Sequence, residues 1–165
     1  MRTGNDWIRA LDLRPHPEGG FFREIYRSGY RMARAGLPPR YSGDRSLSTS
    51  IYFLLLSGQV SRLHRLRSDE IWHFYEGSPV VIHTIEPGGA YAAVGMSREA
   101  LTGPGFQAVI PAGWWFGAEV AAPDSFALVG CTIAPGFEFD DFELGRREEL
   151  LASYPAHRGI IEKLT

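Results

Sequence analysis

Cysteine and lysine are almost absent from this chain of 165 residues. The single cysteine, Cys131, excludes an intrachain disulfide and agrees with a reducing compartment. Lys163 is the only lysine, so arginine supplies the rest of the 17 positive charges, which are spread along the chain without a dense run. With 19 acidic residues the formal net charge is −2, so nothing indicates a surface for nucleic acid or anionic lipid.

Long apolar runs are also missing. The longest strongly apolar stretch, Ile51 to Leu56, is far shorter than the roughly 20 residues that a helix needs to cross a bilayer. The first ten residues include Asp6 and no apolar run, so no signal sequence is indicated. We therefore expect one cytoplasmic domain over residues 1–165, long enough to bury a core without disulfides or a structural metal.

The middle of the chain has the pattern of an all-β protein. Short runs rich in Val, Ile, Phe and Tyr alternate with Gly, Pro, Ser and Asp at intervals of about ten residues, which is typical of sandwiches and barrels. The predicted strands are Phe21–Ser28, Ser48–Leu56, Val60–Leu66, Glu70–Tyr75, Val80–Glu86, Ala90–Val94, Phe106–Pro111, Trp114–Ala118 and Phe126–Ala134.

The two ends of the chain predict short helices. Asn5 or Asp6 can cap a helix that ends before Pro15, and a turn follows from Pro15 to Gly20. After Gly136 the apolar spacing changes again and predicts an amphipathic helix and a last short one, marked by Phe142, Leu144, Leu150, Leu151, Ile160, Ile161 and Leu164. Residues 33–44 are rich in Pro, Gly and Arg and predict a surface loop.

Two segments carry regularly spaced glycines around polar strands: Gly58 to Gly77, with His64 and Glu70, and Gly105 to Phe116. Together they resemble the two signature motifs of the cupin superfamily. In that superfamily two further histidines normally join the first histidine and the glutamate as metal ligands. Here those two positions hold Leu66 and Phe116.

Longer phrases resemble one branch, the fifth cupin family, a set of small proteins of unknown function. They include PHPEGGFFRE from Pro15, STSIYFLL from Ser48, HRLRSDEIWH from His64, IPAGWWF from Ile110 and APGFEF from Ala134. The resemblance implies a double-stranded β-helix, the jelly-roll cupin barrel, over about residues 19–136, with a C-terminal helical segment over about 140–165. It also implies a homodimer and a ligand pocket inside the barrel. It supplies no reaction.

The ligand count argues against a metal cofactor. His64 and Glu70 are two protein ligands, whereas catalytic zinc and non-haem iron sites normally use three or four. His73 follows Glu70 by an odd offset, so a regular strand turns it to the opposite face. We predict no bound metal; a metal held by His64 and Glu70 would need a third ligand.

The candidate catalytic residues are His64, Glu70 and Tyr52. Strand alternation places His64 with Arg62 and Leu66, and Glu70 with Trp72 and Phe74, on faces that point inward in the cupin register. A histidine next to a carboxylate accepts protons near neutral pH, so we expect His64 to be the base and Glu70 its orienting partner. The phenol of Tyr52 is the candidate general acid opposite His64.

Candidate ligand-binding side chains come from the first strand, the second motif and the aromatic wall: Arg23, Glu24, Tyr26, Gln107, Trp72, Trp115 and Phe116. Those of the first strand can cap the barrel mouth, and the amide of Gln107 can hydrogen-bond a hydroxyl or carbonyl. The aromatic rings suit the wall of the pocket and can stack on a ligand ring.

Three functions fit these residues. The first is a metal-independent epimerase, isomerase or lyase acting on a sugar-like or carbonyl compound, by analogy with the metal-free sugar-nucleotide epimerases, which share a jelly-roll barrel. The alternative is a non-catalytic protein that binds a carbohydrate or nucleotide sugar. A metal-dependent dioxygenase is a distant third, because Leu66 and Phe116 replace ligands that it needs.

Overall fold

The computed structural model describes residues 2–99 and 105–165, so Met1 and residues 100–104 of the predicted domain lie outside the described part. Its strands are β1 (Arg14–Pro15), β2 (Phe21–Arg27), β3 (Arg31–Met32), β4 (Arg45–Ser46), β5 (Thr49–Leu56), β6 (Val60–Leu66), β7 (Asp69–Gly77), β8 (Val80–Ile85), β9 (Tyr91–Met96), β10 (Gln107–Ile110), β11 (Trp115–Val120), β12 (Phe126–Ala134) and β13 (Phe142–Leu144). The helices are α1 (Gly4–Ala10), α2 (Arg147–Ser153) and α3 (Arg158–Lys163).

The strands form two main antiparallel sheets. One has six strands in the order β1-β2-β5-β12-β7-β10, and the other has five in the order β13-β6-β11-β8-β9. The short strands β3 and β4 pair separately. Neighbours in each sheet are mostly distant in sequence, which is the jelly-roll arrangement predicted from the motifs.

One prediction at the C-terminal end is wrong. Residues Phe142 to Leu144 form the edge strand β13 on β6 and do not begin an amphipathic helix. Phe142 faces the space between the sheets, where it packs against the main core, so its burial has the period of a strand. The helical part of the prediction holds from Arg147 onwards, in α2 and α3.

The main core lies between the two sheets and is built from alternate residues of their strands, including Phe53, Trp72, Phe74, Ile82 and Phe116. Two smaller clusters cover the outer faces. Trp115 packs with the C-terminal helices on the five-stranded sheet. Residues of α1 pack against Leu54 and Phe126 on the six-stranded sheet. Both outer faces are therefore partly buried. Strands that are buried on both faces lack the alternation of apolar and polar residues that marks a strand with one face in water.

None of the helices in the described ranges is long and apolar enough to span a membrane.

Candidate functional site

A cavity of about 110 Å³ opens between the sheets. Strands β2, β5, β7 and β12 of the larger sheet and β6 and β13 of the smaller one supply its walls. The turn before β2 and the loop before β13 close it from the sides. The cavity is of the order of the engineered apolar cavity of about 150 Å³ that holds benzene, so its enclosed part fits a small molecule.

Glu18 enters this cavity from the turn that precedes β2. The amide of Gly19 donates to the carbonyl of His16 at 3.0 Å, and Gly19 and Gly20 both have positive φ, 113° and 67°. The carbonyl of Glu18 accepts from the amide of Arg62 in β6 at 2.8 Å. The turn is therefore hydrogen-bonded to the smaller sheet, and its carboxylate points between the two sheets.

The carboxylate of Glu18 lies between two imidazoles. Its Oε2 is 3.2 Å from Nε2 of His64 and 3.3 Å from Nδ1 of His16. Its Oε1 accepts from the hydroxyl of Ser61 at 2.7 Å. Burial raises the pKa of Glu18 and lowers the pKa values of both histidines. These three side chains therefore form a buried unit in which a proton can be held by the carboxyl or by an imidazole.

Both ring nitrogens of His64 face protein groups. Its Nδ1 donates to the carbonyl of Arg62 at 2.7 Å, so the Nε2 that faces Glu18 accepts a hydrogen bond when the ring is neutral. The ring of Phe116, a residue of the main core, packs against the imidazole of His64 with the two ring centroids 4.1 Å apart. The sequence predicts that Glu70 orients His64. In the structure the ring nitrogens of His64 instead contact the carboxylate of Glu18 and the carbonyl of Arg62.

A bulge in β6 explains why strand parity misassigned a neighbour of His64. Phe116 of β11 pairs with His64, and Ala118 pairs with Ser61. Strand β6 therefore has one more residue than β11 between these two pairs, which is a β-bulge. Ser61 and His64 consequently both contact Glu18 inside the barrel. Arg62, predicted to share the face of His64, instead directs its guanidinium to the carbonyl of Pro17.

Glu70 is a buried carboxyl group with an unpartnered oxygen. The residue is 6% exposed, it lines the cavity, and its Oε2 has no hydrogen-bond partner among the described residues. Burial raises the pKa of Glu70 to about 7, while the nearby His64, the indole of Trp72 and the thiol of Cys131 act in the opposite direction. Trp72, two residues on and on the same face as predicted, also lines the cavity. Glu70 therefore changes its charge near neutral pH, as a general acid or base must.

An ion-pair cluster around Arg27 lines the more exposed part of the cavity. Its guanidinium donates to both oxygens of Glu24 at 3.0 and 2.8 Å, to Glu138 at 2.8 Å and to the carbonyl of Phe137 at 3.0 Å. Glu24 and Arg27 are three residues apart in β2, yet both line the cavity. The register of β2 on β5 shifts between Glu24 and Tyr26, and this bulge brings the two side chains to one face.

Tyr52 and Arg23 lie outside the cavity. They pair with each other across β2 and β5, on the face that carries Leu54 and not on the face of Ile51 and Phe53. The ring of Tyr52 packs edge-on against that of Tyr75 at 6.0 Å. The predicted position of the Tyr52 phenol opposite His64 is therefore wrong, and Arg23 does not reach the mouth.

Three further predicted binding residues also lie elsewhere. Tyr26 is exposed, and its register opposite Ser50 turns it away from the cavity. Gln107 is exposed on β10, where its amide donates to Nδ1 of His73 at 3.2 Å. Trp115 packs against the C-terminal helices, with the guanidinium of Arg65 4.5 Å above its ring. Of the predicted set, the cavity brings together His64, Glu70, Glu24 and Trp72, with Phe116 behind His64.

Sequence reasoning missed Glu18, His16, Arg27 and Glu138. His16 is not among the predicted site residues, but its side chain is buried and lines the cavity. The available signal was the phrase PHPEGG, in which a histidine and a glutamate stand beside two glycines in a turn. Polar residues at a conformationally special turn are candidates for a site, since loops carry functional groups more often than strands do.

The side chains present do not match the metal centre of metal-dependent cupins. Leu66 and Phe116 occupy two positions of that ligand set, and His64 directs Nε2 to Glu18. Over residues 2–99 and 105–165 no three His, Cys, Asp or Glu side chains are grouped so that they could hold an ion. We therefore derive no chemistry through a metal.

The sequence is similar to proteins from distant organisms. It is 29% identical over 157 residues to the uncharacterized protein YML079W of Saccharomyces cerevisiae, covering 89% of this chain and 75% of the yeast protein. Protein SO0799 of Shewanella oneidensis has a crystal structure with a TM-score of 0.88 and 41% identity, covering 100% of this chain and 98% of that one. A hypothetical protein of Leishmania major gives a TM-score of 0.90 and 33% identity, covering 99% of both chains.

More distant structures share the fold only. Oxalate decarboxylase of Bacillus subtilis has a TM-score of 0.56 and 15% identity, covering 94% of this chain and 37% of the enzyme. The predicted ligand, the pairing of two chains and the cellular location stay predictions. The sequence profile of the family described as Cupin superfamily (DUF985) matches residues 5–145. This match and the shared fold agree with the motifs read from the sequence, and the chain belongs to the DUF985 family of the cupin superfamily.

Proposed function

We propose that this protein binds a small molecule in the cavity between its sheets and moves a proton on it, as an isomerase or epimerase. The observation that carries the proposal is Glu70: a carboxyl with a pKa of about 7, buried against the cavity, with one oxygen unpartnered in the described chain. Groups that titrate near the working pH are the most effective proton carriers. A purely structural carboxyl at this depth would normally be hydrogen-bonded through both oxygens.

The reaction needs a second proton carrier, and the pair of His64 and Glu18 supplies it. The Glu70 carboxylate takes a proton from a carbon next to a carbonyl, and the electron pair of the broken C–H bond moves into the carbonyl to give an enolate. The pair returns a proton to the same carbon, which can invert its configuration, or to the former carbonyl carbon. In the second case the hydroxyl proton on the first carbon moves to the former carbonyl oxygen, so in both cases the product has the composition of the substrate. A proton then passes from Glu70 back to the pair, since the two units lie beside the same cavity.

Hydrogen exchange tests this proposal without knowledge of the substrate. A panel of small hydroxycarbonyl and aminocarbonyl compounds is incubated with the protein in D₂O, and loss of the C–H signal is followed by proton NMR. We expect exchange above the buffer rate for at least one member. Glu70→Gln and His64→Gln should each reduce that exchange by about 10²-fold or more, the scale of general acid–base catalysis.

Gln107→Ala is the matched control, because Gln107 is exposed on β10 and lies outside the cavity. Its exchange rate should equal that of the parent protein. Exchange that persists in Glu70→Gln would contradict the assignment of the base.

A non-catalytic binding protein is the second candidate, and the mainly apolar wall of the cavity favours it, since such walls are typical of binding pockets. The His64→Gln variant separates the two. In an enzyme it loses exchange and keeps ligand affinity, whereas in a binder the affinity itself falls and no compound exchanges at any protein concentration.

A further inference from the structure

The cavity has an unusual balance of charge. Four carboxyl groups line it, those of Glu18, Glu24, Glu70 and Glu138, and Arg27 is the only lysine or arginine among its described lining residues. The guanidinium of Arg27 already donates to both Glu24 and Glu138. Burial lowers the pKa values of the two lining histidines, which disfavours their positive form. An anionic ligand would therefore find no free cationic partner and would be repelled by the carboxylates.

Glu70 points to the missing partner. It is 6% exposed, and its Oε2 has no hydrogen-bond donor among the described residues. An ionised carboxylate buried without a partner is costly, so a bound group that brings a positive charge or an N–H donor to this oxygen gains free energy. A neutral hydroxyl also donates a hydrogen bond, but it brings no positive charge to offset that of the buried carboxylate.

The apolar part of the wall fits the same ligand. Six aromatic side chains line the cavity: Phe22, Phe53, Trp72, Phe137, Phe139 and Phe142. The faces of aromatic rings attract cations, and organic ammonium ions are recognised by clusters of such rings because their alkyl groups also prefer an apolar surface. A cavity lined by aromatic rings, carboxylates and a fully paired arginine is poorly suited to binding a carboxylate, a phosphate or a nucleotide.

We infer that the cavity takes a small organic ammonium ion, held by the carboxylate of Glu70 and the surrounding aromatic rings. This inference rests on the proposed function and names the class of its ligand, an amine whose ammonium end group is about the size of benzene or slightly smaller. A positive charge next to the reacting carbon also makes its C–H bond more acidic, so an aminocarbonyl compound suits both roles of Glu70.

Three probes of one shape and different charge test the inference. Choline is cationic, 3,3-dimethylbutan-1-ol is its neutral isostere, and 3,3-dimethylbutanoate is a similar anion. Each is titrated into the full-length protein by calorimetry at pH 8, above the pKa of about 7 of Glu70. We expect choline to bind at least tenfold more tightly than the alcohol, and the carboxylate not to bind.

Two variants link this preference to the cavity. Glu70→Gln should weaken choline binding at least tenfold and change the affinity for the alcohol less than about twofold. Phe139→Leu removes one ring at a position that is 56% exposed, where folding tolerates the change, and should weaken choline binding about threefold. Gln107→Ala is again the control and should bind like the parent protein.

The inference is overturned if the alcohol or the carboxylate binds as tightly as choline, if no probe binds, or if Glu70→Gln keeps the full preference for the cation. These outcomes are distinct from a failure of the proposed function. Proton exchange without a preference for cations leaves the isomerase proposal standing and removes only the ligand class. Cation binding without exchange on any carbonyl compound leaves the ligand class standing and favours the binding protein.

Discussion

Nε2 of His64 lies 3.2 Å from Oε2 of Glu18, although one residue belongs to the strand β6 and the other to a turn that precedes β2. The contact joins the first segment of the larger sheet to a strand of the smaller one. Both side chains are buried. The position of the Glu18 carboxylate beside His64 therefore depends on the geometry of the Pro15–Gly20 turn, and not on the barrel strands alone.

Replacing Glu18 tests the hydrogen bonds of this unit. We expect Glu18→Ala to lower the free energy of unfolding by about 1–3 kcal/mol, because the hydroxyl of Ser61 and the imidazole of His64 lose their buried partner. Glu18→Gln should cost less than about 1 kcal/mol, since its carbonyl accepts from Ser61 and its amide donates to Nε2 of His64. Urea unfolding at pH 7 measures both. Equal losses in the two variants would mean that charge, and not hydrogen bonding, holds the unit together.

Glu70 should make stability depend on pH in a defined direction. Its pKa rises from 4.5 in the unfolded chain to about 7 in the folded protein, so between these values the folded state binds more protons. The contribution of Glu70 to the free energy of unfolding is fully present below pH 4.5, where its carboxyl is protonated in both states. It is lost as the pH rises through 7, and the free energy of unfolding falls by about 3 kcal/mol in all. Glu70→Gln removes that loss, because an amide does not ionise.

We therefore expect Glu70→Gln to unfold at higher urea concentration than the parent protein at pH 8, with a difference that shrinks towards pH 4.5. Urea titrations at four pH values between 5 and 8 measure the trend. Glu143→Gln is the control for the loss of one negative charge, since Glu143 is exposed. A difference that is constant over this range, or that grows towards acid, would contradict the position of Glu70 as a buried, unpaired carboxyl.

The sequence predicted the strands and part of the site because both follow regular periodicity. Glu70 and Trp72 face inward as alternation requires, and His64 sits where the glycine spacing of the first motif places it. The bulges in β2 and β6 could not be predicted, since one extra residue leaves no mark on a short hydrophobic pattern.

Two further errors have separate causes. Tyr52 was assigned to the wrong face because β5 is buried on both sides, by the core and by the cluster under α1, so its run of apolar residues has no alternation to read. Glu18 was missed because its contact with His64 depends on where a turn crosses the other sheet, and single-sequence patterns carry no information on such long-range packing.

Gly19 should be far less replaceable than Gly58. Both have positive φ, 113° and 80°, which costs any L side chain about 1 kcal/mol or more. A Cβ on Gly19 would also collide with the carbonyl of Val60, whereas a Cβ on Gly58 would meet open space. We expect Gly58→Ala to lower the free energy of unfolding by about 1 kcal/mol and Gly19→Ala by about 3 kcal/mol, at the upper end for a strained backbone.

The same comparison has a functional readout. Gly19→Ala should also displace Glu18 and weaken proton exchange, whereas Gly58→Ala should leave exchange unchanged. Thermal and urea unfolding of the two variants, with the exchange assay above, measure both effects. Equal destabilisation by the two alanines would show that the turn tolerates displacement from β6.

The buried ion pair of Arg45 and Asp141 should dominate the stability of the segment that leads into β13. Two parallel hydrogen bonds of 2.6 Å join the guanidinium to the carboxylate, and both side chains are 3% exposed. Removing one partner leaves an uncompensated buried charge, so we expect Asp141→Ala to cost about 3–5 kcal/mol. Arg65 and Glu143 form a pair with the same fork geometry but are 41% and 54% exposed, and Glu143→Ala should cost less than about 1 kcal/mol.

A double variant separates charge burial from packing. If unpaired charge is the cause, Arg45→Met combined with Asp141→Leu should recover more than half of the loss seen in Asp141→Ala, because both desolvated charges are gone and the volume is largely kept. Urea unfolding of the single and double variants completes the cycle. Since Asp141 directly precedes Phe142, which lines the cavity, Asp141→Ala should also weaken the binding of any cavity ligand, whereas Glu143→Ala should not. A double variant as unstable as Asp141→Ala would mean that this segment depends on the geometry of the fork itself.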